Sequence, residues 1–280
     1  MRLATAIKTR LRLFRRAPKT TRQQVIVPLR EQKPLRPTHK VRLGMPDSAF
    51  RADTLIISDI HLGSEVSRAK QLREALQEWY PFRRLIILGD LFEDLNFSRL
   101  RKHHFGLIDD FRRLTSPRRG VRVDWIEGNH DEAAHDVVRA MIGANVQKEL
   151  IVEMAGKRHL FMHGHQFDDF LTDHPIISTV AGKFYEAVQK RETRTRSVSR
   201  WLKRKSKGWI GVCRKVERKA IEHAMDRNVD YIFCGHTHYH EASKNVHPSG
   251  IQYVNTGCWT DAPSTILTLG PEGIRRHLYT

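Results

Sequence analysis

The sequence predicts an α/β fold built around parallel strands, and three observations carry that prediction. From Asp53 onward, short apolar runs alternate with amphipathic stretches of helical period, the pattern of strand–helix–strand units. The chain has 280 residues at 40% apolar composition, enough for a sizeable core. Clusters of Asp, His and Asn follow directly on the predicted strands, where an open α/β sheet gathers its ligand-binding loops.

In order along the chain, TLIIS (54–58) reads as a buried strand. Residues 66–80 read as a helix through Ala69, Leu72, Leu76 and Trp79. RLIIL (84–88) is a second strand and VRVDWI (121–126) a third, with a helical stretch over 98–114 between them. Residues 148–162 form an antiparallel hairpin with Gly156 in its turn. A long helical region covers 174–227, and DYIFC (230–234), IQYVN (251–255) and STILTL (264–269) return to strand character. The chain thus divides into an N-terminal extension, 1–50, and one domain, 51–280, carrying a basic helical insertion over 170–228. The extension is punctuated by prolines and has no strand signal. Leu3, Ile7, Leu11 and Phe14 give it a short basic amphipathic helix. A membrane-surface anchor, an Arg-rich organellar transit peptide and a plain basic tail all fit that helix.

Composition excludes a wholly disordered chain, a collagen-like chain and a disulfide-stapled miniprotein. No apolar run approaches the roughly 18 residues of a membrane helix. Cys213, Cys234 and Cys258 are odd in number and far apart, which makes neither a disulfide framework nor a paired-cysteine zinc site. The expected location is the cytoplasm, with peripheral attachment to a membrane and organellar targeting left open. The net charge is +18, and it is concentrated. Residues 1–42 hold thirteen Lys and Arg against Glu31, and residues 183–219 hold fourteen against three Glu. Such segments meet phosphates of substrate, lipid headgroup or nucleic acid.

Five clusters carry the chemistry: Asp59-Ile60-His61, Gly89-Asp90, Gly128-Asn129-His130-Asp131, His163-Gly164-His165 and Gly235-His236-Thr237-His238. Any one alone reads as a cap, turn or surface residue. Together, each at a strand end and with glycines permitting tight turns, they describe a site.

The ordered set D-x-H, GD, GNHD, HG, GHTH resembles the calcineurin-like metallophosphoesterase superfamily over residues 59–238. The resemblance implies a sandwich of two mixed β-sheets flanked by helices, and two divalent cations bound by mixed imidazole, carboxylate and amide donors. Carried over by position, Asp59, His61 and His238 bind the first cation, Asn129, His163 and His236 the second, and Asp90 bridges them. It further implies a metal-bound hydroxide attacking phosphorus, with His130 over the substrate as a catalytic residue that stabilises phosphoryl oxygens or protonates the leaving group. Glu93 matches the family position whose carboxylate orients that imidazole. Asp131 reads as a local residue hydrogen-bonding the turn. Manganese is the expected metal by resemblance, with iron or zinc suiting the same donors.

GDLFEDL lacks the arginine of the phosphoprotein phosphatases, and residues 91–97 lack the ligand tyrosine of the purple acid phosphatases. The layout SDIHLGS, GDLFED, GNHD, HGHQFD, insertion, GHTH, NTGCWTD is most similar to the branch containing UDP-2,3-diacylglucosamine diphosphatase. The chain departs from that branch at His165 and Cys258, which stand where it commonly has Asp. The resemblance implies cleavage of a pyrophosphate in a sugar-nucleotide lipid of lipid A synthesis. The insertion is consistent with a substrate-covering lid whose Arg194, Arg196, Arg200 and Lys203 contact the diphosphate; a solvated basic helix pair is the plainer reading. The expected partner is a phosphate-containing, lipid-linked substrate, with an anionic membrane surface beside it and nucleic acid a weaker candidate. A nucleic-acid or cyclic-nucleotide phosphodiesterase and a non-catalytic binding protein are the alternatives.

Overall fold

The structure, a computed structural model, describes residues 22–25, 50–131, 135–168, 207–239 and 247–280. Two sheets make its frame. The first has seven strands in the order β1-β11-β10-β2-β3-β4-β5, where β1 is Arg22–Val25, β2 Ala52–Ile57, β3 Phe82–Leu88, β4 Arg122–Ile126 and β5 Asn145–Gln147, with β10 Ser264–Gly270 and β11 Gly273–Tyr279. Strands β2 to β5 run parallel, and β10, β11 and β1 add antiparallel pairs. The second sheet has the order β6-β7-β8-β9: β6 Glu149–Met154, β7 Lys157–Met162, β8 Tyr231–Cys234 and β9 Gln252–Asn255. Its first pair is antiparallel and the rest parallel, so both sheets are mixed, as the family resemblance implies.

The strand sequences show why the sheets stack. In β2 and β3, alternate residues face opposite layers, and both layers are apolar. Ile56, Ile86 and Leu88 point inward to meet Phe161, Phe233 and Val254 of the second sheet. Leu55, Ile57, Leu85 and Ile87 point outward against helices α1 (Ala69–Trp79), α2 (Lys102–Leu114) and α3 (His135–Ile142), through Leu72, Leu107, Phe111 and Val138. The outer face of the second sheet, with Leu160, Ile232 and Tyr253, is covered by α4 (Lys207–Asp226) through Val216, Ala220 and Ala224. No described helix is long and apolar enough to cross a membrane.

Every predicted strand of the domain is present, and the predicted hairpin turns at Ala155-Gly156, both with positive φ, the twist-matched two-residue turn. Three features differ from the sequence reading. The extension, expected to lack strands, contributes β1, which pairs antiparallel with β11. Helix α3 and strand β5 fill the stretch between β4 and β6 that carried no assignment. A last strand, β11, follows β10 and carried no assignment because its alternation is masked: Arg276 and His277 are buried. Arg276 donates to the Asn255 carbonyl at 2.9 Å, which satisfies the charge that hid the pattern. The predicted amphipathic helix at residues 3–14 and most of the insertion lie outside the described residues. Its last part is α4, helical as expected.

Candidate metal centre

The parallel strands end at one edge of the sandwich, and the loops that follow them are tied together by backbone hydrogen bonds. Asp59 N–H donates to the Gly89 carbonyl at 3.1 Å, and Ile60 and His61 N–H to the Asp90 carbonyl at 2.9 and 3.0 Å. Gly235 N–H donates to the His163 carbonyl at 2.9 Å, and Trp259 N–H to the Asp59 carbonyl at 2.9 Å. The residues after β2, β3, β4, β7 and β8 therefore form one cluster.

That cluster is strained. Among the described residues, seven non-glycine residues have positive φ, and five of them are Asp59, His61, Asp90, His236 and His238, at 50–61°. An L side chain in this region is disfavoured by clashes with its own backbone, and such residues persist only where the surroundings impose them. Glycines make the close approaches possible. A Cβ on Gly89 would fall inside the His163 ring, one on Gly128 would collide with Asp90, and one on Gly235 with the Asp59 carboxylate.

Three overlapping donor groups lie together, each with its ligand atoms within 4.8 Å: Asp59, His61 and His238; Asp59, Asp90 and His163; His61, Asp90 and His130. His238 Nε2 is 3.2 Å from Asp59 Oδ1, and His163 Nε2 and His61 Nε2 lie 3.3 and 3.6 Å from Asp90 Oδ2. Asp59, His61 and Asp90 are each shared between two groups, so the three groups make one continuous cluster.

Several ring orientations are fixed by the far nitrogen. His163 Nδ1 donates to the Leu88 carbonyl at 2.9 Å, which turns Nε2, fully buried, toward Asp90 Oδ2 as the nitrogen that takes a proton or a cation. Asn129 Oδ1 is buried and without a hydrogen bond. Buried polar atoms are normally satisfied, so an acceptor left without a donor in the loop beside buried carboxylates fits a cation. His236 contributes its main-chain N–H to Asp59 and turns its ring Nε2 to Asp168 Oδ2 at 3.0 Å.

Charge follows the same arrangement. Burial favours a neutral Asp90, but the rings of His163, His130 and His61 outweigh it and hold the carboxyl well below its usual range. Burial opposes a charged His163, yet Asp90 and Asp59 raise it to about 9. His238 is raised well above its ordinary value against desolvation, with the Cys258 sulfur, as thiolate, and Asp59 as the raising partners. Protons thus balance the carboxylates, and a cation bound by the same atoms displaces them.

His130 lies at the exposed rim. Its Nδ1 lies 2.6 Å from the Glu93 carbonyl, and its main-chain N–H donates to Asp90 Oδ1 at 3.1 Å. Here the geometry departs from the sequence reading. The Glu93 carboxylate, expected to orient His130, stands 2.9 Å from His61 Nδ1 instead, and His130 is oriented by the Glu93 main chain. The loop from Asp90 to Glu93 runs beside Leu62, with Glu93 N–H on the Leu62 carbonyl, so the side chain emerges next to His61. Asp131 is the turn residue expected: its two oxygens accept the Leu91 and Phe92 N–H groups at 3.1 Å each. Burial pushes its carboxyl up to about 6. Asp168 was not singled out by sequence; its signal was the HGHQFD run that ends on it. Arg194, Arg196, Arg200 and Lys203 lie outside the described residues.

Residues 53–269 match the family model for the calcineurin-like phosphoesterase superfamily domain. Among solved structures, an archaeal phosphodiesterase is similar at 14% identity and TM-score 0.44, over 80% of this chain and 98% of its own. A single mutant of Vps29 from Entamoeba histolytica is similar at 15% and 0.41, over 81% and 98%. A conserved uncharacterised protein of Streptococcus pneumoniae TIGR4, described as a predicted phosphoesterase, is similar at 15% and 0.33, over 82% and 98%. No curated protein matches the chain.

Proposed function

The chain belongs to the calcineurin-like phosphoesterase superfamily, and from that premise we propose that it is a two-metal hydrolase of a phosphodiester or pyrophosphate bond. The observation that carries this reading is the convergence of Asp59, Asp90 and His163 on one point, with Asn129 Oδ1 buried and without a hydrogen bond in the loop beside Asp90. Asp59, His61 and His238 would hold one cation, Asn129, His163 and His236 the other, with Asp90 between them. Divalent cations held there supply Lewis acidity toward phosphoryl oxygens and a nucleophilic water at neutral pH.

The chain's own residues do the rest. His130 is exposed at the rim, and the Glu93 carbonyl takes its Nδ1–H, which leaves Nε2 as the nitrogen free for substrate. Desolvation lowers its basicity, but Asp90 and the Glu93 carbonyl together raise it above the ordinary imidazole value. A proton held at Nε2 faces the substrate side, where it stabilises phosphoryl oxygen charge or transfers to the leaving oxygen. Glu93 and Asp168 brace the rings of His61 and His236.

For the substrate we propose a sugar-nucleotide lipid of the UDP-diacylglucosamine type, cleaved at its pyrophosphate. Support comes from the SDIHLGS to NTGCWTD layout and from the two basic segments, whose charge suits a diphosphate at an anionic membrane surface. The test is hydrolysis of UDP-2,3-diacylglucosamine and of a generic phosphodiester in Mn²⁺, wild type beside Asp90→Asn, with products read by mass spectrometry. UMP from the lipid, lost in the variant, is the expected result. Turnover of the diester alone keeps the two-metal chemistry and discards the lipid. No turnover of either, with cations still bound, favours a binding role.

A further inference from the structure

His236 is held at two points. Its main-chain N–H reaches both Asp59 oxygens, at 3.1 and 3.2 Å, from a backbone at φ 61°. Its ring Nε2 lies 3.0 Å from Asp168 Oδ2, with both side chains largely shielded, 11% and 13% exposed. An ionised carboxylate can only accept, so the nitrogen facing it carries the proton. A neutral imidazole has one N–H, and fixing it at Nε2 makes Nδ1 the lone-pair nitrogen. His163 is oriented in the opposite sense, with Nδ1 on the Leu88 carbonyl and Nε2 turned to Asp90. Two histidines assigned to the same cation are thus set to offer opposite nitrogens, one held by a main-chain oxygen and one by a carboxylate.

Asp168 is itself located firmly. Gly164, at φ 106°, turns the chain out of β7 into a single 3-10 turn, His165–Phe167, and Asp168 N–H closes it on the His165 carbonyl at 3.1 Å. Phe167 is buried against α4, its ring 5.6 Å from that of His223. The carboxylate therefore projects from a turn pinned on both sides.

We propose that Asp168 is a positioning residue that selects the His236 tautomer and so presents Nδ1 as the donor atom to a divalent cation. This rests on the reading that the centre binds two cations. Carboxylates behind a ligating imidazole typically contribute about 10–100-fold in metal affinity. The test has two parts on the full-length protein. Long-range ¹H–¹⁵N spectra of histidine-labelled, metal-free wild type at pH 8.5 should show His236 protonated at Nε2. Calorimetric Mn²⁺ titration should show Asp168→Ala weakening one of two binding events by about 10–100-fold. Asp168→Asn, which keeps an acceptor without the charge, should fall between. A wild-type His236 protonated at Nδ1, or an Asp168→Ala protein that binds both cations as wild type does, overturns the proposal. A wild type that binds no Mn²⁺ refutes the functional reading and this inference together, whereas two wild-type events unaffected by the variant refute this inference alone.

Discussion

Two histidines remote from the proposed centre set a stability limit in acid. His104 is buried, and its Nδ1 accepts the Arg101 N–H at 3.1 Å, capping α2, which requires that nitrogen to be unprotonated. His159 is buried and stacks on Tyr231 with ring centroids 4.9 Å apart. Desolvation is the main cause that lowers each to about 4, from an ordinary 6.5. The unfolded chain takes up both protons near pH 6.5 while the folded one resists until about 4, so stability is complete above that window and is lost as pH falls through it. Each group contributes up to about 3 kcal/mol to the loss. Urea unfolding between pH 7.5 and 4.5 should show it, and His159→Phe should reduce the slope; an unchanged slope contradicts the assignment. At the centre itself, Gly89→Ala and Gly235→Ala drive a methyl into His163 and the Asp59 carboxylate. Both should lose Mn²⁺ binding in a calorimetric titration, while Gly250→Ala, whose Cβ meets open space, should keep it despite its strained φ of 83°.

The elements were legible where burial made the residue pattern simple. In β2 and β3 apolar side chains occupy both faces, and a run such as Leu85-Ile86-Ile87 has no other use in a chain this polar. Strand β11 was illegible because Arg276 and His277 are both buried, with partners that only the pairing of strands supplies, Asn255 of β9 and Thr268 of β10. The same limit applied to the centre. Asp59, His61, Asp90, Asn129, His163, His236 and His238 follow strands and could be read in order. The partner of the Glu93 carboxylate depends on how two loops lie side by side, which spacing does not encode. Helices α1 to α3 pack on the outer face, away from the loops, so damage there should separate stability from metal binding. Phe111→Ala should cost about 3–5 kcal/mol in denaturant unfolding. At low temperature it should bind the same number of cations as wild type, and loss of either would link the outer layer to the centre.

Two sheets stack face to face over one apolar layer, and the proposed cations sit at the edge where the loops of both converge. The proposed donors come from loops of both: Asp59, His61, Asp90 and Asn129 follow strands of the first sheet, His163, His236 and His238 strands of the second. A ligand that binds only the folded state stabilises it by mass action, about 2.7 kcal/mol per site at a hundredfold excess over Kd. For a domain of this size that is a rise in Tm of roughly 5–10 °C per cation. Scanning calorimetry with EDTA and then with Mn²⁺ should show that difference; a Tm indifferent to both argues that no cation bridges the sheets.

The left-handed backbone at Asp59, His61, Asp90, His236 and His238 has a consequence for how such a chain ages over evolutionary time. Glycine or asparagine would sit more comfortably at each of these five positions. A descendant released from its chemistry gains thermal robustness by drifting that way, and it does so first at the residues that define the family. Retirement from catalysis in this fold should therefore be written in its motifs before its core: sandwich intact, strand ends relaxed to Gly and Asn.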